Sequence, residues 1–464
     1  MARNTRYLRR AVDVLRAPGD GPAGVQRRQQ ARLTELVGYA RSRSAFYAEH
    51  YRQLPPGSAD LPTLPHVTKP ELMSAFDQWA TDPAVTRAGV DRFVADPARV
   101  GEPFLGSYFV CTSSGTTGQP GVFLHDPFAL EVYQLLTYRL DLAWLSGPDW
   151  VRAATRGMRW ASVVGTGTHF AGQGWVEAQR RSSLWRRHAF RVFSVQQPLT
   201  ELVSGLNAFD PAILASYPSA LDLLADERQA GRLRIRPVLV EGAGESADER
   251  RRRKVAAAFG SRIHDAYGAS EFLIMACDCN AGWLHVNADW VILEPVDENL
   301  APTPPGAASH TVLMTNLANR VQPMIRYDLG DSITASPDPC PCGNALPAIR
   351  VSGREADTMR LLDGQGRPVT IPPLAIGTVC DETPGVRRSQ LAQTGPRSVR
   401  VRVDVSPGSD PESVWRQVRG RLDDYLRGQA LTGIALDYDP SPTTANERSG
   451  KFRQVTGWSQ GRAA

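Results

Sequence analysis

From about residue 187 to residue 275 the chain alternates helical runs with short apolar runs, and this alternation constrains the fold more than any other feature. Residues 213–216 read as strand, 219–230 as helix, 237–241 as strand, the stretch through Phe259 as helix and 261–267 as strand. Short apolar strands separated by helices bury both faces of a parallel sheet, which predicts an α/β core with ligands at the carboxyl ends of its strands. Glu241-Gly242-Ala243-Gly244-Glu245 and Ala266-Tyr267-Gly268-Ala269-Ser270-Glu271 each follow such a strand, where a site would form.

The flanking sequence has other characters. Residues 1 to about 100 read as mostly helical, with 27–44 amphipathic and proline-rich joints at 53–66. A β-rich run at 108–112 enters a Ser/Thr/Gly cluster and is followed by a helix over 129–145. Residues 283–355 are β-rich, with runs at 290–294 and 311–315 between Pro and Gly turns, and predict a small β subdomain. Beyond Gly353-Arg354 come a strand at 399–405, an amphipathic helix at 412–429 and a strand at 434–438. The expected architecture is a large N-terminal α/β domain, residues 1–354, with parallel sheet layers and a β subdomain, and a small mobile α+β domain, residues 355–464.

Composition narrows the function classes. With 42% hydrophobic and 22% charged residues among 464, the chain is an ordinary globular one. Fifty-three basic against 48 acidic residues leave +5, too little to make nucleic acid or an anionic membrane the partner. The four consecutive arginines at 250–253 read as a solvated helix face. No 18 apolar residues run together, and the first 21 residues carry no signal-peptide stretch, so a soluble cytoplasmic protein is expected. Only Lys69, Lys254 and Lys451 are lysine in this arginine-rich chain, so each lysine invites attention.

Six cysteines are too few for a disulfide scaffold. Cys277 and Cys279 form one Cys-x-Cys pair and Cys340 and Cys342 another, in the turn-rich Pro339-Cys340-Pro341-Cys342-Gly343-Asn344. Two close pairs about sixty residues apart, with His285 near the first, point to structural zinc held by Cys279, His285, Cys340 and Cys342. Cys277 is the spare ligand or the substitute for His285.

Ser113-Ser114-Gly115-Thr116-Thr117-Gly118, inside the longer run from Thr112 to Gly121, is the strongest chemical signal. Glycines let backbone N–H groups approach a phosphate and hydroxyls add donors. No Gly-Lys-Ser/Thr follows, so it is not a Walker loop. A second glycine-rich stretch, 165–172, also lacks dinucleotide spacing and reads as a loop, with His169 the best candidate for a substrate pocket. No Gly-x-Ser-x-Gly elbow is present, which removes a serine hydrolase.

Taken in order, Ser113 to Gly118, Tyr267-Gly268-Ala269-Ser270-Glu271, Arg326-Tyr327-Asp328-Leu329-Gly330-Asp331, Gly353-Arg354 and Arg448-Ser449-Gly450-Lys451 resemble the adenylate-forming superfamily. The Arg-Tyr-Asp-Leu-Gly-Asp string and the cysteine knuckle resemble its phenylacetate-CoA ligase branch. The resemblance implies that Ser113, Ser114, Gly115, Thr116, Thr117 and Gly118 cradle ATP phosphates, and that Gly244 and Glu245 line the adenine pocket. Tyr267, with Gly268, would stack on the purine, Ser270 bond the α-phosphate, Glu271 hold Mg²⁺, and Asp331 take the ribose hydroxyls with Arg354 nearby. Lys451 would stabilise the charge that builds as a carboxylate attacks the α-phosphorus, a task for a compact ammonium.

The implied reaction turns a carboxylic acid, by family habit aromatic or arylalkyl, into an acyl-adenylate with release of pyrophosphate, then into a coenzyme A thioester. The alternatives are transfer of the acid or another oxyanion to an amine or a carrier-protein thiol, and a non-catalytic nucleotide-binding homologue. Family dimers point to a homodimer. Two departures stand out: Glu355-Ala356-Asp357 puts alanine where the hinge usually begins its acidic pair, and Ser270 replaces the usual threonine.

Overall fold

The computed structural model describes residues 2–55, 57–113, 121–245, 247, 249–352, 359–444 and 454–458. They fall into two compact units, each assembled from separate stretches of chain. The boundary expected at 354/355 lies outside the described residues.

The first unit draws on residues before 112, on 122–151 and on 264–352. Its helix Gly21–Arg43 starts with Pro22 in the first turn, where a missing N–H costs nothing. The helix buries Val25, Leu33, Leu36, Val37 and Ala40, a three-and-four spacing that makes one apolar stripe. Helix Pro127–Trp144 is capped by Asp126, whose Oδ1 accepts from the Ala129 N–H at 2.8 Å. Its buried face carries Val132, Tyr133, Leu136 and Leu140.

Against these helices lie antiparallel strands in the order Ser332–Ala335, Ala348–Ser352, Leu284–Val286, Phe272–Asp278 and Ile263–Ala269. A second, three-stranded sheet runs Val291–Val296, Thr311–Asn316, Tyr327–Asp328. The wholly buried Asp289 ties helix to sheet. Its carboxylate accepts a two-pronged pair of bonds from Arg139, at 2.9 and 2.6 Å, and Arg139 also donates to Asn287 Oδ1 at 3.0 Å. A buried ion pair survives only when geometry and further hydrogen bonds compensate desolvation, and this one has both.

The second unit holds the parallel sheet: Leu239–Ala243, Ile213–Ser216, Trp160–Val164 and Phe190–Ser194, in that order. Helices Pro218–Gln229 and Glu249–Phe259 follow the strands Ile213–Ser216 and Leu239–Ala243, as the alternating pattern requires. The same unit includes the C-terminal sheet of Ala435–Asp439, Ser398–Val405, Val386–Gly395 and Val455–Thr456, backed by helix Pro411–Gly428. One apolar cluster contains Leu214, Leu221 and Leu224 with Val399, Val401 and Leu422. The Gln429 side chain donates to the carbonyls of Gln196 and Gln197 at 3.2 and 3.0 Å.

The mixed α/β class agrees with the sequence. The expectation of parallel pairing as far as residue 275 does not: strand Ile263–Ala269 turns back into Phe272–Asp278 as an antiparallel hairpin. Two residues between strands leave room for a turn but none for a crossover, which needs a dozen or more. Among the described residues no helix is long and apolar enough to cross a membrane.

Asp141 sits in helix Pro127–Trp144, 7% exposed, and its Oδ1 finds no hydrogen-bond partner among the described residues. Burial pushes its carboxyl up to about 7. The folded state therefore keeps a proton that the unfolded chain releases near pH 4, and stability falls as pH rises between those values. Asp141→Asn should gain on wild type through that window, by up to about 4 kcal/mol, and hold a constant lead above pH 7. Urea melts at pH 4, 6 and 8 check this.

Candidate functional site

The Tyr267 to Glu271 segment owes its shape to one glycine. A Cβ on Gly268 would stand 2.0 Å from the Leu273 carbonyl oxygen, so the two strands approach too closely there for a side chain. The ladder slips at this point, between Tyr267 and Ala269, and resumes at Ala269 opposite Phe272. Ser270 and Glu271 are therefore the two residues of a hairpin turn.

Glu271 points into the first unit and is 7% exposed. The Tyr327 hydroxyl donates to its Oε1 at 2.8 Å. Burial raises the Glu271 carboxyl above its ordinary value; Lys69 and the Tyr327 bond pull it down, and Asp331 pushes it up again. Four residues beyond Tyr327 in the same string, Asp331 accepts at Oδ2 from the Tyr267 hydroxyl at 2.8 Å. Sequence positions 267, 271, 327 and 331 thus meet as two tyrosine–carboxylate pairs. Arg326 serves the frame, donating to the Leu64 carbonyl at 2.6 Å and to Glu294 at 3.2 Å.

Lys69 was singled out by composition alone and given no role; the structure brings its charge to bear on Glu271. It opens the helix Lys69–Ser74, which a Thr68–Glu71 capping box fixes. Tyr327 is the other residue the sequence did not assign. Its signal was present, inside the quoted Arg-Tyr-Asp-Leu-Gly-Asp string, but a tyrosine between charged neighbours reads as packing.

In the second unit Ser113 and Gly121 close the neck of the Ser/Thr/Gly loop: the Ser113 N–H donates to the Gly121 carbonyl at 2.9 Å, and the Gly121 N–H to Ser113 Oγ at 3.0 Å. Thr112 N–H donates to the carbonyl of His169 at 2.8 Å, so the second glycine-rich stretch braces the entry to the loop at Thr112. His169 itself is 1% exposed. Gly244 has φ +79°, a left-handed turn residue. The Glu245 carboxylate takes the Ser219 N–H and hydroxyl, both at 3.0 Å, at the start of helix Pro218–Gln229, where the helix dipole favours an anion. Ser114, Gly115, Thr116, Thr117, Gly118, Arg354 and Lys451 lie outside the described residues.

The cysteine pairs converge as a separate centre of the first unit. One ligand-type atom from each of Cys279, His285, Cys340 and Cys342 lies within 4.8 Å of the other three. Cys277 faces His285 across the strand ladder and is not in the group. His285 Nδ1 is 2.8 Å from the Leu346 carbonyl, which can only accept, so the proton sits on Nδ1. Its Nε2 lone pair then faces the Cys342 sulfur at 3.1 Å. Burial opposes charge on Cys279, but N–H groups of Ala281 and Trp283 and the thiols of Cys340 and Cys342 hold it below its usual value. Three sulfurs and an oriented imidazole are the donor set that zinc takes in closed structural sites.

No protein-family model matches the chain. A phenylacetate-coenzyme A ligase of Thermus thermophilus is 25% identical over 350 residues, 72% of this chain and 71% of that one. In sequence as well as in motif order the chain is thus similar to the adenylate-forming superfamily. This relative in sequence and solved structures of like fold are acyl-CoA ligases. A solved 2-hydroxyisobutyryl-CoA ligase, in complex with 2-HIB-AMP and CoA in the thioesterification state, shares this adenylate-forming fold. It superposes with a TM-score of 0.58 at 18% identity, covering 95% of this chain and 91% of that one. The same ligase in its postadenylation state gives 0.56.

Gly268→Ala forces a methyl into the Leu273 carbonyl, an overpacking against backbone that should cost about 3 kcal/mol or more. The expected result is a large fall in melting temperature, read by circular dichroism, with the Ser270–Glu271 turn displaced.

Proposed function

We propose that this chain activates an aromatic or arylalkyl carboxylic acid as its acyl-adenylate, releasing pyrophosphate, and then transfers the acyl group to coenzyme A. The observation that carries this reading is the meeting of Glu271 with Tyr327 and of Tyr267 with Asp331. It puts a buried carboxylate, an aromatic ring and a second carboxylate in one unit, in the order the superfamily uses for metal, purine and ribose. The aromatic preference is drawn from the phenylacetate-coenzyme A ligase relative.

In this reading Ser113 and the residues Ser114 to Gly118 receive the β- and γ-phosphates, and Gly244 with Glu245 borders adenine. Tyr267 and Gly268 face the purine, Ser270 donates to the α-phosphate, and Asp331 accepts from the ribose with Arg354 beside it. Magnesium, held at Glu271, would neutralise phosphate charge; a buried carboxylate oxygen suits a hard cation. Lys451, from a C-terminal domain of residues 355–464, would meet the core of residues 1–354 and steady the pentavalent α-phosphorus while the acid oxygen attacks. Thioester formation then exchanges the adenylate for the coenzyme A sulfur and frees AMP. A homodimer is the assembly this reading carries.

Pyrophosphate exchange into ATP tests the first step, with aryl, arylalkyl, aliphatic and amino acids on wild type and Lys451→Ala. Exchange with one aryl or arylalkyl acid, reduced by about 10²-fold or more in the variant, is the expected result. No exchange with any acid would defeat the proposal. Dependence of AMP release on coenzyme A, and not on an amine or a carrier-protein thiol, tests the second step.

We also assign structural zinc to Cys279, His285, Cys340 and Cys342. One zinc per chain by elemental analysis, lost in Cys279→Ser/Cys342→Ser together with thermal stability, is expected. A metal-free wild type that melts unchanged in chelator would refute the site.

A further inference from the structure

The hairpin ladder stops at Ala269 and Phe272, so the carbonyls of Ser270 and Glu271 need partners from elsewhere. A buried chain of side chains reaches both, and the buried Cys111 thiol also donates to the Ser270 carbonyl at 3.3 Å. His125 Nε2 lies 2.9 Å from the Ser270 carbonyl, which can only accept, so Nε2 carries the proton. His125 Nδ1 must then accept from the Tyr133 hydroxyl, 3.1 Å away. The Tyr133 oxygen in turn receives Asn316 Nδ2 at 2.9 Å, and the same amide nitrogen donates to the Glu271 carbonyl, also at 2.9 Å. Asn316 cannot be turned over, because its Oδ1 accepts the N–H groups of Ala318 and Asn319 at 3.0 and 3.1 Å.

Every direction in this chain is fixed by its ends. His125, Tyr133 and Asn316 are each 0% exposed. Burial holds the imidazole down to about 4, so the neutral form that the chain requires persists at ordinary pH. Tyr133 also packs edge-on against Phe272, ring centroids 4.8 Å apart, immediately after the turn. A turn needing only to be stable could have been satisfied by water. Here three buried polar side chains from a strand, a helix and a second sheet converge on two adjacent peptide groups.

We propose that His125, Tyr133 and Asn316 are positioning residues that lock the Ser270–Glu271 turn so its hydroxyl and carboxylate meet nucleotide phosphate and its cation in one orientation. This rests on the reading of Ser270 and Glu271 given above. Outer partners of ligating groups commonly matter by about 10- to 100-fold.

The test compares wild type, His125→Leu, His125→Gln, Tyr133→Phe, Asn316→Asp and Glu271→Gln with the remote core variant Leu36→Ala, chosen for a similar loss of melting temperature. Two quantities are read: the dissociation constant for MgATP by calorimetry without acid, and kcat and acid KM for pyrophosphate exchange. Weakening of MgATP by about tenfold and a fall in kcat of up to about 100-fold are expected for His125→Leu and Asn316→Asp. Acid KM should stay unchanged, His125→Gln should recover much of the loss by restoring the donor to Ser270, and Leu36→Ala should change neither quantity. Nearly isosteric Tyr133→Phe provides the comparison if His125→Leu fails to fold. Impairment in Glu271→Gln without impairment in the chain variants overturns the positioning role alone. An unaffected Glu271→Gln overturns the reading of the site, and the positioning role with it.

Discussion

Glu271 is a carboxyl group taken almost wholly out of water, with one oxygen on a tyrosine hydroxyl and a lysine acting on it from an N-terminal helix. An ionised carboxylate in such a place is costly unless charge and hydrogen bonds reach it. The first unit is arranged around that requirement. Tyr327 is brought in by the short strand paired with Thr311–Asn316, Lys69 by the capped helix after the proline-rich joint, and the turn itself by a glycine that lets two strands nearly touch. In the proposed reading a divalent cation beside a nucleotide phosphate would add to that compensation.

The cysteine knuckle bears on the same frame. Cys279 and His285 flank the turn between the strand that follows Glu271 and the next one, and Cys340 and Cys342 precede the strand that pairs with it. A metal there would pin the far ends of the strands whose near end carries the Ser270–Glu271 turn. The bidentate Arg139–Asp289 pair does the equivalent for the helix that supplies Tyr133. Rigidity at both places is what keeps a functional side chain within the narrow tolerance that catalysis sets.

Much of this was legible in the sequence, and the physical reasons divide cleanly. The helices at 127–144, 218–229 and 411–428 and the strands at 213–216, 311–316 and 398–405 declared themselves by periodicity and by proline or aspartate at their starts. Strands Trp160–Val164 and Phe190–Ser194 were not placed, because runs of five residues look the same in helix or strand. The reversal after Ala269 was hidden for another reason: Gly268 forms a bulge, and a bulge is set by what the facing strand permits. Of the site, Tyr267, Glu271 and Asp331 could be named from motif order. Tyr327, Lys69, His125 and Asn316 could not, since their importance lies in contacts between segments 45 to more than 200 residues apart. The choice between Cys277 and His285 needed the third dimension too, because the two stand opposite each other in the ladder and only His285 lies with the other three ligands.

Acid adenylation leaves an atomic signature that binding or simple ATP hydrolysis does not. A carboxylic acid labelled with ¹⁸O in both carboxyl oxygens, turned over with ATP and coenzyme A, gives one oxygen to the α-phosphorus when the adenylate forms. Mass spectrometry of the products should find one ¹⁸O in AMP and one in the thioester. Unlabelled AMP, or ADP in its place, would contradict the account.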